Sequence, residues 1–146
     1  MLQQTTALSF GARAPSFELP TTTGELVSLE GLADRQVIVI EFHSNVCPYV
    51  HAWEPRLSAI ATEFADRGVA VVAINSNDAA ASPRDSFPAM VDRVTKKGLA
   101  FVYAKDETQE VARAFGAEKT PEIMVFGARP ESIMPWLALE GETEGP

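Results

Sequence analysis

The chain has 146 residues, of which 46% are hydrophobic, and its formal net charge is −8. This length and apolar content suffice for one globular domain with a real core. The acidic balance argues against a nucleic-acid-binding protein, because phosphates require a basic surface. No apolar run approaches the roughly 18 residues that predict a membrane span, so we expect no membrane partner.

The first predicted elements form a small β-hairpin. Residues 1–14 lack the basic segment and apolar core of a signal peptide, so we expect none there. Pro15–Pro20 is predicted to be a short edge strand bounded by prolines. A turn at Thr21–Gly24 then leads into a second strand at Glu25–Ser28, and residues 29–35 form a connection.

The main strand and helix of the domain follow. Gln36–Phe42 is an apolar, β-branched run, which indicates a strand covered on both faces. A helix is predicted from about Pro48 to Arg67, with Pro55 kinking it or separating its first turn. Gly68 ends the helix. Five apolar residues recur at helical spacing and are expected to face the sheet as core: Trp53, Leu57, Ile60, Ala61 and Phe64.

The remaining pattern predicts an α/β domain. A helix between two apolar strands forms a βαβ unit with a parallel pair. Helices then cover a central sheet on both faces, and ligand chemistry lies at the carboxyl ends of the parallel strands. The later elements are strand Val69–Asn75, helix Pro88–Lys97 with Met90, Val91 and Val94 inward, strand Leu99–Tyr103, a short helix opened by Asp106, and strand Glu122–Phe126.

Cys47 is the only cysteine of the chain, and it lies between the main strand and its helix. Pro48 suits the first turn of a helix, which places Cys47 at the helix N-terminus. Free N–H groups and the helix dipole favour a thiolate there; the alternative is a small buried hydrophobe. A single cysteine excludes an intramolecular disulfide and fits a reducing compartment, so the predicted localisation is cytoplasmic.

Four segments in order resemble the alkyl hydroperoxide reductase/thiol-specific antioxidant (redoxin) group of the thioredoxin-like superfamily. The second segment resembles the Cys-Pro-Tyr-Val motif of its peroxiredoxin-like subgroup. The resemblance implies a thioredoxin-like fold with a central mixed sheet, helices on both faces and an N-terminal β-hairpin. The segments are Gly11–Pro20, Asn45–Val50, Asp106–Ala112 and Lys119–Glu122.

The resemblance implies that Cys47 is a nucleophile. In thioredoxins a buried acid precedes the first cysteine of Cys-x-x-Cys by six positions, and Glu41 precedes Cys47 by six. Val50 then occupies the place of the resolving cysteine. The alternative alignment treats Ser44 and Cys47 as a variant of the peroxiredoxin Thr-x-x-Cys motif. Without a resolving thiol, Cys47 would form a mixed disulfide or a sulfenic acid, and an external thiol would complete the cycle.

Further site residues follow from the same resemblance. Thr120-Pro121 matches the thioredoxin loop with a cis-proline opposite the cysteine; the alternative is an ordinary turn proline. Together with Pro48 and Tyr49, this dipeptide is expected to bind substrate.

Two titratable residues complete the predicted catalytic set. Glu41 is expected to move protons for Cys47 as the thioredoxin buried acid does, or else to reach water at the strand end. His51 follows Cys47 by four residues and would stabilise the thiolate, or else lie on the surface.

A metal site is the weaker interpretation of this region. His43, Cys47 and His51 supply ligand types that some thioredoxin-fold proteins use for copper. No second cysteine or further histidine completes the set. We therefore expect no metal and no cofactor, and we interpret His43 as structural.

The C-terminal end departs from the family pattern. We expect a thioredoxin-like domain over residues 1–126 and an irregular tail over residues 127–146, with the usual last strand and helix incomplete. The tail would be native, or the product of a truncated or altered reading frame. The strand at 122–126 would then be an exposed edge able to pair with a second copy in a homodimer.

The sequence therefore predicts a thiol-dependent oxidoreductase or antioxidant protein. Its substrate would be a disulfide or a peroxide, and its partner an external thiol or a thioredoxin-type reductant. The alternative is a non-catalytic thioredoxin-fold binding or interaction protein without redox turnover.

Overall fold

A computed structural model describes residue 8 and residues 11–127. Three short 3-10 turns at Glu30–Leu32, Ala65–Arg67 and Pro83–Asp85 join the regular elements. Those elements are β1 (Glu18–Pro20), β2 (Leu26–Ser28), β3 (Val37–Phe42), α1 (Pro48–Glu63), β4 (Val69–Asn75), α2 (Phe87–Lys97), β5 (Val102–Lys105), α3 (Glu110–Phe115) and β6 (Glu122–Gly127).

The central sheet is mixed and has the strand order β5-β4-β3-β6. Strand β3 pairs in parallel with β4, which pairs in parallel with β5, whereas β6 runs antiparallel to β3. Strands β1 and β2 form a separate antiparallel hairpin. The predicted α/β class with a central mixed sheet and an N-terminal hairpin is confirmed.

Each face of the sheet is covered by its own layer. The hairpin and α3 cover one face, while α1 and α2 cover the other. Burying each large apolar side chain stabilises the fold by about 1.5–3 kcal/mol, so both layers hold the central strand β3 in place. The first face contains Phe17, Leu19, Ile38, Ile40, Phe42 and Phe115, and the second contains Leu57, Val71, Ala73, Met90, Phe101 and Tyr103.

The predicted inward face of α1 is partly wrong. Trp53 and Ile60 are exposed, at 45% and 39% of their surface, and do not belong to the core. The buried residues of the helix are Val50, Glu54 and Leu57, at the i, i+4, i+7 spacing of one helix face. A glutamate occupies the middle of that face, so the apolar pattern alone gave the wrong phase.

Several predicted boundaries also differ from the structure. Strand β5 begins at Val102 rather than Leu99, and α3 begins at Glu110 rather than near Asp106. The Asp106 carboxylate instead accepts the N–H groups of Val111 and Ala112 at the start of α3. Met90 is buried as expected, but Val91 is 37% exposed, so its inward placement on α2 is wrong.

Strand β6 is an edge of the sheet as described, and it has one exposed apolar side. Ile123 and Val125 are 46% and 50% exposed, whereas Phe126 is buried against the opposite layer. The homodimer through this edge stays a prediction. Residues 128–146 of the predicted tail lie outside the described residues. Within the described residues, no helix is long and apolar enough to cross a membrane.

Candidate active site

Cys47 is the residue from which α1 starts. Strand β3 ends at Phe42, and after a short loop Cys47 takes the N-cap position with an extended backbone (φ −78°, ψ 122°). Pro48 is the first helical residue, where its missing N–H leaves no hydrogen bond unmade. The Cys47 carbonyl accepts the N–H of His51 at 3.1 Å. This geometry places the side chain at the positive end of a 16-residue helix.

The surroundings of the Cys47 thiol favour its ionised form. Burial raises the pKa of the thiol, but several other contacts outweigh this effect and lower the pKa below its ordinary value. These contacts are hydrogen bonds with the backbone of Val50, with Thr120 and with the backbone of Tyr49, together with the charge of His43. A larger thiolate fraction near neutral pH makes Cys47 a better nucleophile.

Thr120 faces Cys47 across the end of the sheet. Antiparallel pairing of Phe42 with Glu122 brings the start of β6 beside the end of β3. The Cys47 thiol donates a hydrogen bond to the Thr120 carbonyl at 3.4 Å. The Thr120–Pro121 peptide bond is cis. The predicted loop and cysteine therefore lie together in the structure.

An open surface surrounds this pair of residues. Tyr49 is 74% exposed and Pro48 is also exposed, so both predicted substrate-binding residues are accessible next to Cys47. A pocket of about 400 Å³ borders Thr120 at the carboxyl ends of β3 and β4. Its lining includes Phe42, Ile74, Asn77, Gln109, Arg113 and Lys119. An extended substrate could reach the thiol from this side.

A cluster of buried charged residues lies behind the loop that carries Cys47. His43 Nδ1 forms a short hydrogen bond with Glu41 Oε1, and His43 Nε2 lies 2.9 Å from Glu54 Oε2. Arg93 holds the same Glu54 carboxylate through two hydrogen bonds of 2.8 and 2.6 Å. Glu41, His43 and Glu54 are at most 4% exposed. This charged cluster connects β3, α1 and α2.

The charges of this cluster stabilise one another. Burial raises the pKa of Glu54, but His43 and Arg93 outweigh it and hold the pKa at about 2. Burial lowers the pKa of His43, but hydrogen bonds and charges from Glu41 and Glu54 raise it above its ordinary value overall. A carboxylate on each side therefore favours the imidazolium form of His43.

A second polar cluster fixes the loop before Cys47. Asp85 is fully buried and accepts the backbone N–H of Asn45 at 2.7 Å and the amide of Asn75 at 2.9 Å. Tyr103 donates its hydroxyl to the Asn45 side chain at 2.7 Å. These bonds anchor Asn45 to the 3-10 turn at Pro83–Asp85 and to β5, and so fix the loop that leads to Cys47.

Residues 10–134 match the AhpC/TSA family. The chain belongs to the AhpC/TSA family. It is 26% identical over 123 residues to the thiol-disulfide oxidoreductase ResA of Halalkalibacterium halodurans, covering 84% of this chain and 65% of ResA. The chain therefore spans less than two thirds of the length of this curated relative.

Two solved structures resemble this AhpC/TSA chain more closely in sequence. A hypothetical protein from Sinorhizobium meliloti 1021 is 37% identical with a TM-score of 0.81, covering 85% of this chain and 68% of the other. An uncharacterized conserved protein from Geobacillus kaustophilus is 39% identical with a TM-score of 0.78, covering 82% and 64%. The thioredoxin-like fold is confirmed, whereas the peroxiredoxin-like subgroup stays a prediction.

The burial of Glu41 excludes one of its two interpretations. This side chain is 1% exposed, so the alternative that it reaches water at the strand end is wrong. Its second carboxylate oxygen, Oε2, is buried and has no hydrogen-bond partner among the described residues. The proton-moving role of Glu41 stays a prediction.

The two histidines of this AhpC/TSA protein lie in different surroundings. The His51 ring points to the Asn45 carbonyl, with Nε2 at 2.6 Å, and lines a groove between α1 and α2. Its predicted role at the thiolate stays a prediction. His43 is fully buried, and its charge is the smallest of the contributions that lower the pKa of Cys47; the interpretation of His43 as structural stays a prediction.

A sequence signal for the His43 site existed but was weak. Glu41 and His43 are two residues apart, so they share one face of the strand and its extension. Glu54 interrupts the apolar face of α1 at a position that should be buried. Together these polar residues on two facing surfaces indicate a buried charge pair, but the pairing needs the tertiary fold.

The metal interpretation finds no support in the side-chain contacts. Both ring nitrogens of His43 are engaged by carboxylates, while the His51 ring is bound to a backbone carbonyl. Within the described part of the chain, no three His, Cys, Asp or Glu side chains form a metal-ligand group.

Proposed function

We propose that this chain is a thiol-dependent oxidoreductase that uses Cys47 as its nucleophile. The observation that carries the proposal is the Cys47 thiol at the N-terminus of α1, facing Thr120, with a lowered pKa. The similarity to ResA, a thiol-disulfide oxidoreductase, supports the same chemistry. A reducing compartment, such as the cytoplasm that the sequence predicts, would supply the external thiol.

With a disulfide substrate, the reaction proceeds by three thiol exchanges. The Cys47 thiolate attacks one sulfur, a Cys47–substrate disulfide forms, and the other substrate sulfur leaves as a thiolate. An external thiol then loses its proton and attacks the substrate sulfur of this mixed disulfide. The Cys47 thiolate leaves, and a second external thiol releases the remaining substrate thiol as the external pair becomes a disulfide.

With a peroxide substrate, the first product would be a sulfenic acid. The thiolate attacks one peroxide oxygen, the O–O bond breaks, and the leaving oxygen takes up a proton. One external thiol condenses with the sulfenic acid, releasing water and forming a mixed disulfide. A second external thiol restores Cys47. In both reactions, Glu41 is the residue that we expect to accept and return protons, through its free Oε2.

The substrate-binding part of the proposal rests on the surface around Cys47. Thr120 and Pro121 form the wall opposite the thiol, and the exposed Pro48 and Tyr49 flank it. An incoming thiol or disulfide would lie in this cleft, beside the pocket that borders Thr120.

The direct test compares the wild-type protein with Cys47→Ser in disulfide reduction. Hydroxyethyl disulfide serves as substrate and glutathione as the external thiol, with hydrogen peroxide in a parallel assay. We expect the wild type to accelerate at least one reaction and Cys47→Ser to fall to the uncatalysed rate. A Cys47→Ser protein as active as the wild type would contradict the proposal, and thermal melting checks that the variant is folded.

One observation favours the competing function of a non-catalytic binding protein. Val50 occupies the place of the resolving cysteine and is completely buried, so no second thiol of this chain can release a partner bound to Cys47. Mass spectrometry of the same reaction distinguishes the two functions. A stable Cys47 mixed disulfide that persists in excess external thiol, without turnover, would support binding and exclude catalysis.

A further inference from the structure

His43 is joined to the helix that carries Cys47. Its ring bridges Glu41 of β3 and Glu54 of α1, and its backbone N–H donates to the Ile74 carbonyl of β4 at 2.8 Å. Glu54 follows Cys47 by seven residues, which is two helical turns along one face of α1. His43 therefore connects the sheet to the face of α1 that begins at Cys47.

The contacts of His43 also determine its charge. A neutral imidazole has one N–H, so a neutral His43 would turn a lone pair toward one of two carboxylates. Arg93 binds both oxygens of Glu54 and thereby keeps this carboxyl ionised. With Glu41 and Glu54 both ionised, only the imidazolium donates a hydrogen bond to each of them at once.

The groups facing His43 come from every element packed around it. Glu41 lies on β3, Glu54 on α1, and Arg93 of α2 reaches His43 through Glu54. The aromatic rings of Phe101 and Tyr103 pack on the imidazole at centroid distances of 5.3 and 5.0 Å. The ring is fully buried, so solvent screens its charge less than it would screen an exposed charge.

We propose that His43 is a positioning residue for the Cys47 reaction: a buried imidazolium, held between Glu41 and Glu54, that fastens α1 to the end of β3 and supplies the fixed positive charge that favours the thiolate. The proposal rests on the proposed function only in taking Cys47 as the reacting atom. His43 touches no substrate in this role. It acts on Cys47 in two ways: its positive charge favours the thiolate, and its hydrogen bonds fix the position of α1.

The first test measures the rate of Cys47 alkylation by iodoacetamide against pH in the wild type and in His43→Gln. Glutamine keeps hydrogen-bonding groups but carries no charge. Below the wild-type midpoint we expect alkylation of His43→Gln to be about tenfold slower, since each pH unit of midpoint shift changes the thiolate fraction tenfold. The same pH profile in both proteins would overturn the proposal.

Leu57→Ala is the matched structural control. Leu57 is a buried residue of the same helix and of the layer between α1 and α2, and its truncation weakens packing without changing any charge. We expect the alkylation midpoint of folded Leu57→Ala to equal that of the wild type. If Leu57→Ala shifts the midpoint as far as His43→Gln does, His43 acts through packing alone and the proposal fails.

A second measurement needs no variant, so it decides the question even if His43→Gln does not fold. Nitrogen-15 NMR of the wild-type protein reports whether each imidazole nitrogen carries a proton. At the midpoint pH of the Cys47 alkylation profile, we expect both ring nitrogens of His43 to be protonated. A neutral His43 at that pH would overturn the proposal. Neither measurement requires turnover, so absence of turnover contradicts only the proposed function.

Discussion

The ionisation of Cys47 depends on three groups of different kinds. The backbone at the start of α1 and the side chain of Thr120 form hydrogen bonds that lower its pKa, and His43 supplies positive charge. Each of them favours the thiolate, whereas partial burial opposes it. Because their sum lowers the pKa, reactivity at this position is a property of the assembled site and not of the cysteine alone.

Glu54 is the residue whose charge the fold most depends on in this region. It is 4% exposed and accepts hydrogen bonds from both His43 and Arg93. Removing one partner of a buried ion pair leaves the other charge uncompensated. We expect Glu54→Gln to lower the free energy of unfolding by about 3 kcal/mol, as measured by urea denaturation.

Asp92→Asn is the control for this prediction. Asp92 lies on α2 and pairs with Lys96 at 2.8 Å, but both side chains are at least 60% exposed. Exposed pairs of this kind contribute about 0.3–0.5 kcal/mol. Equal losses of stability in Glu54→Gln and Asp92→Asn would show that the buried charged cluster contributes no more to the free energy of unfolding than an exposed ion pair.

At the scale of elements, α1 shows why an apolar pattern can be misleading. Glu54 lies on the buried face because it has charged partners there, and Trp53 lies outside, where Arg56 stacks on its ring at 5.1 Å. A periodicity count treats the glutamate as a surface residue and the tryptophan as core. The correct phase of the helix depends on the pairing of Glu54 with His43, just after β3, and with Arg93 of α2.

Two glycines that end helical segments provide a test at the same scale. Gly68 and Gly98 both have left-handed backbones, with φ of 78° and 61°. A Cβ on Gly68 would lie 3.3 Å from Gln36 Cγ, whereas a Cβ on Gly98 would meet nothing within 4 Å. We expect Gly98→Ala to cost about 1 kcal/mol through its backbone alone and Gly68→Ala about 2 kcal/mol, since Gln36 must also move.

Thermal or urea unfolding of the two alanine variants would measure this difference. The comparison is matched because both residues follow a helical segment and precede or approach a strand of the same sheet. A larger loss in Gly98→Ala than in Gly68→Ala would show that the contact with Gln36 is not limiting.

At the scale of the whole molecule, buried charges make stability depend on pH. The pKa of Glu54 falls from 4.5 to about 2 on folding, and hydrogen bonds that outweigh burial also lower the pKa of Asp85. A carboxyl with a depressed pKa contributes stability above its unfolded value and loses that contribution as pH falls through the folded value. We expect the free energy of unfolding to decrease from about pH 4.5 toward pH 2.

His43 contributes with the opposite sign. Its pKa is raised in the folded protein from the ordinary 6.5, so its contribution is complete below that value and disappears as pH rises through the folded pKa. Urea denaturation at a series of pH values measures both parts of this dependence: the acid limb, from Glu54 and Asp85, and the limb at higher pH, from His43. In Glu54→Gln we expect a shallower acid limb, and an unchanged acid limb would contradict the assignment of this dependence to Glu54.

Much of the architecture could be predicted because local patterns carry it. The apolar β-branched runs of β3 and β4, with a helix between them, predict a parallel pair and place Cys47 at its carboxyl end. Pro48 predicts the start of α1 because only the first helical turn accepts a residue without an N–H. These features depend on a few neighbouring residues, so the sequence by itself determines them.

The tertiary structure alone decided which residues surround the thiol. Thr120 is 73 residues from Cys47 and meets it because β6 pairs with β3. Glu54 of α1 helps to raise the pKa of His43, and Arg93 of α2 binds the same Glu54 carboxylate. Contacts between distant segments depend on how the layers pack, and no local pattern encodes them. The sequence therefore determined where Cys47 lies, and the packing of sheet and helices decided which groups favour its ionisation.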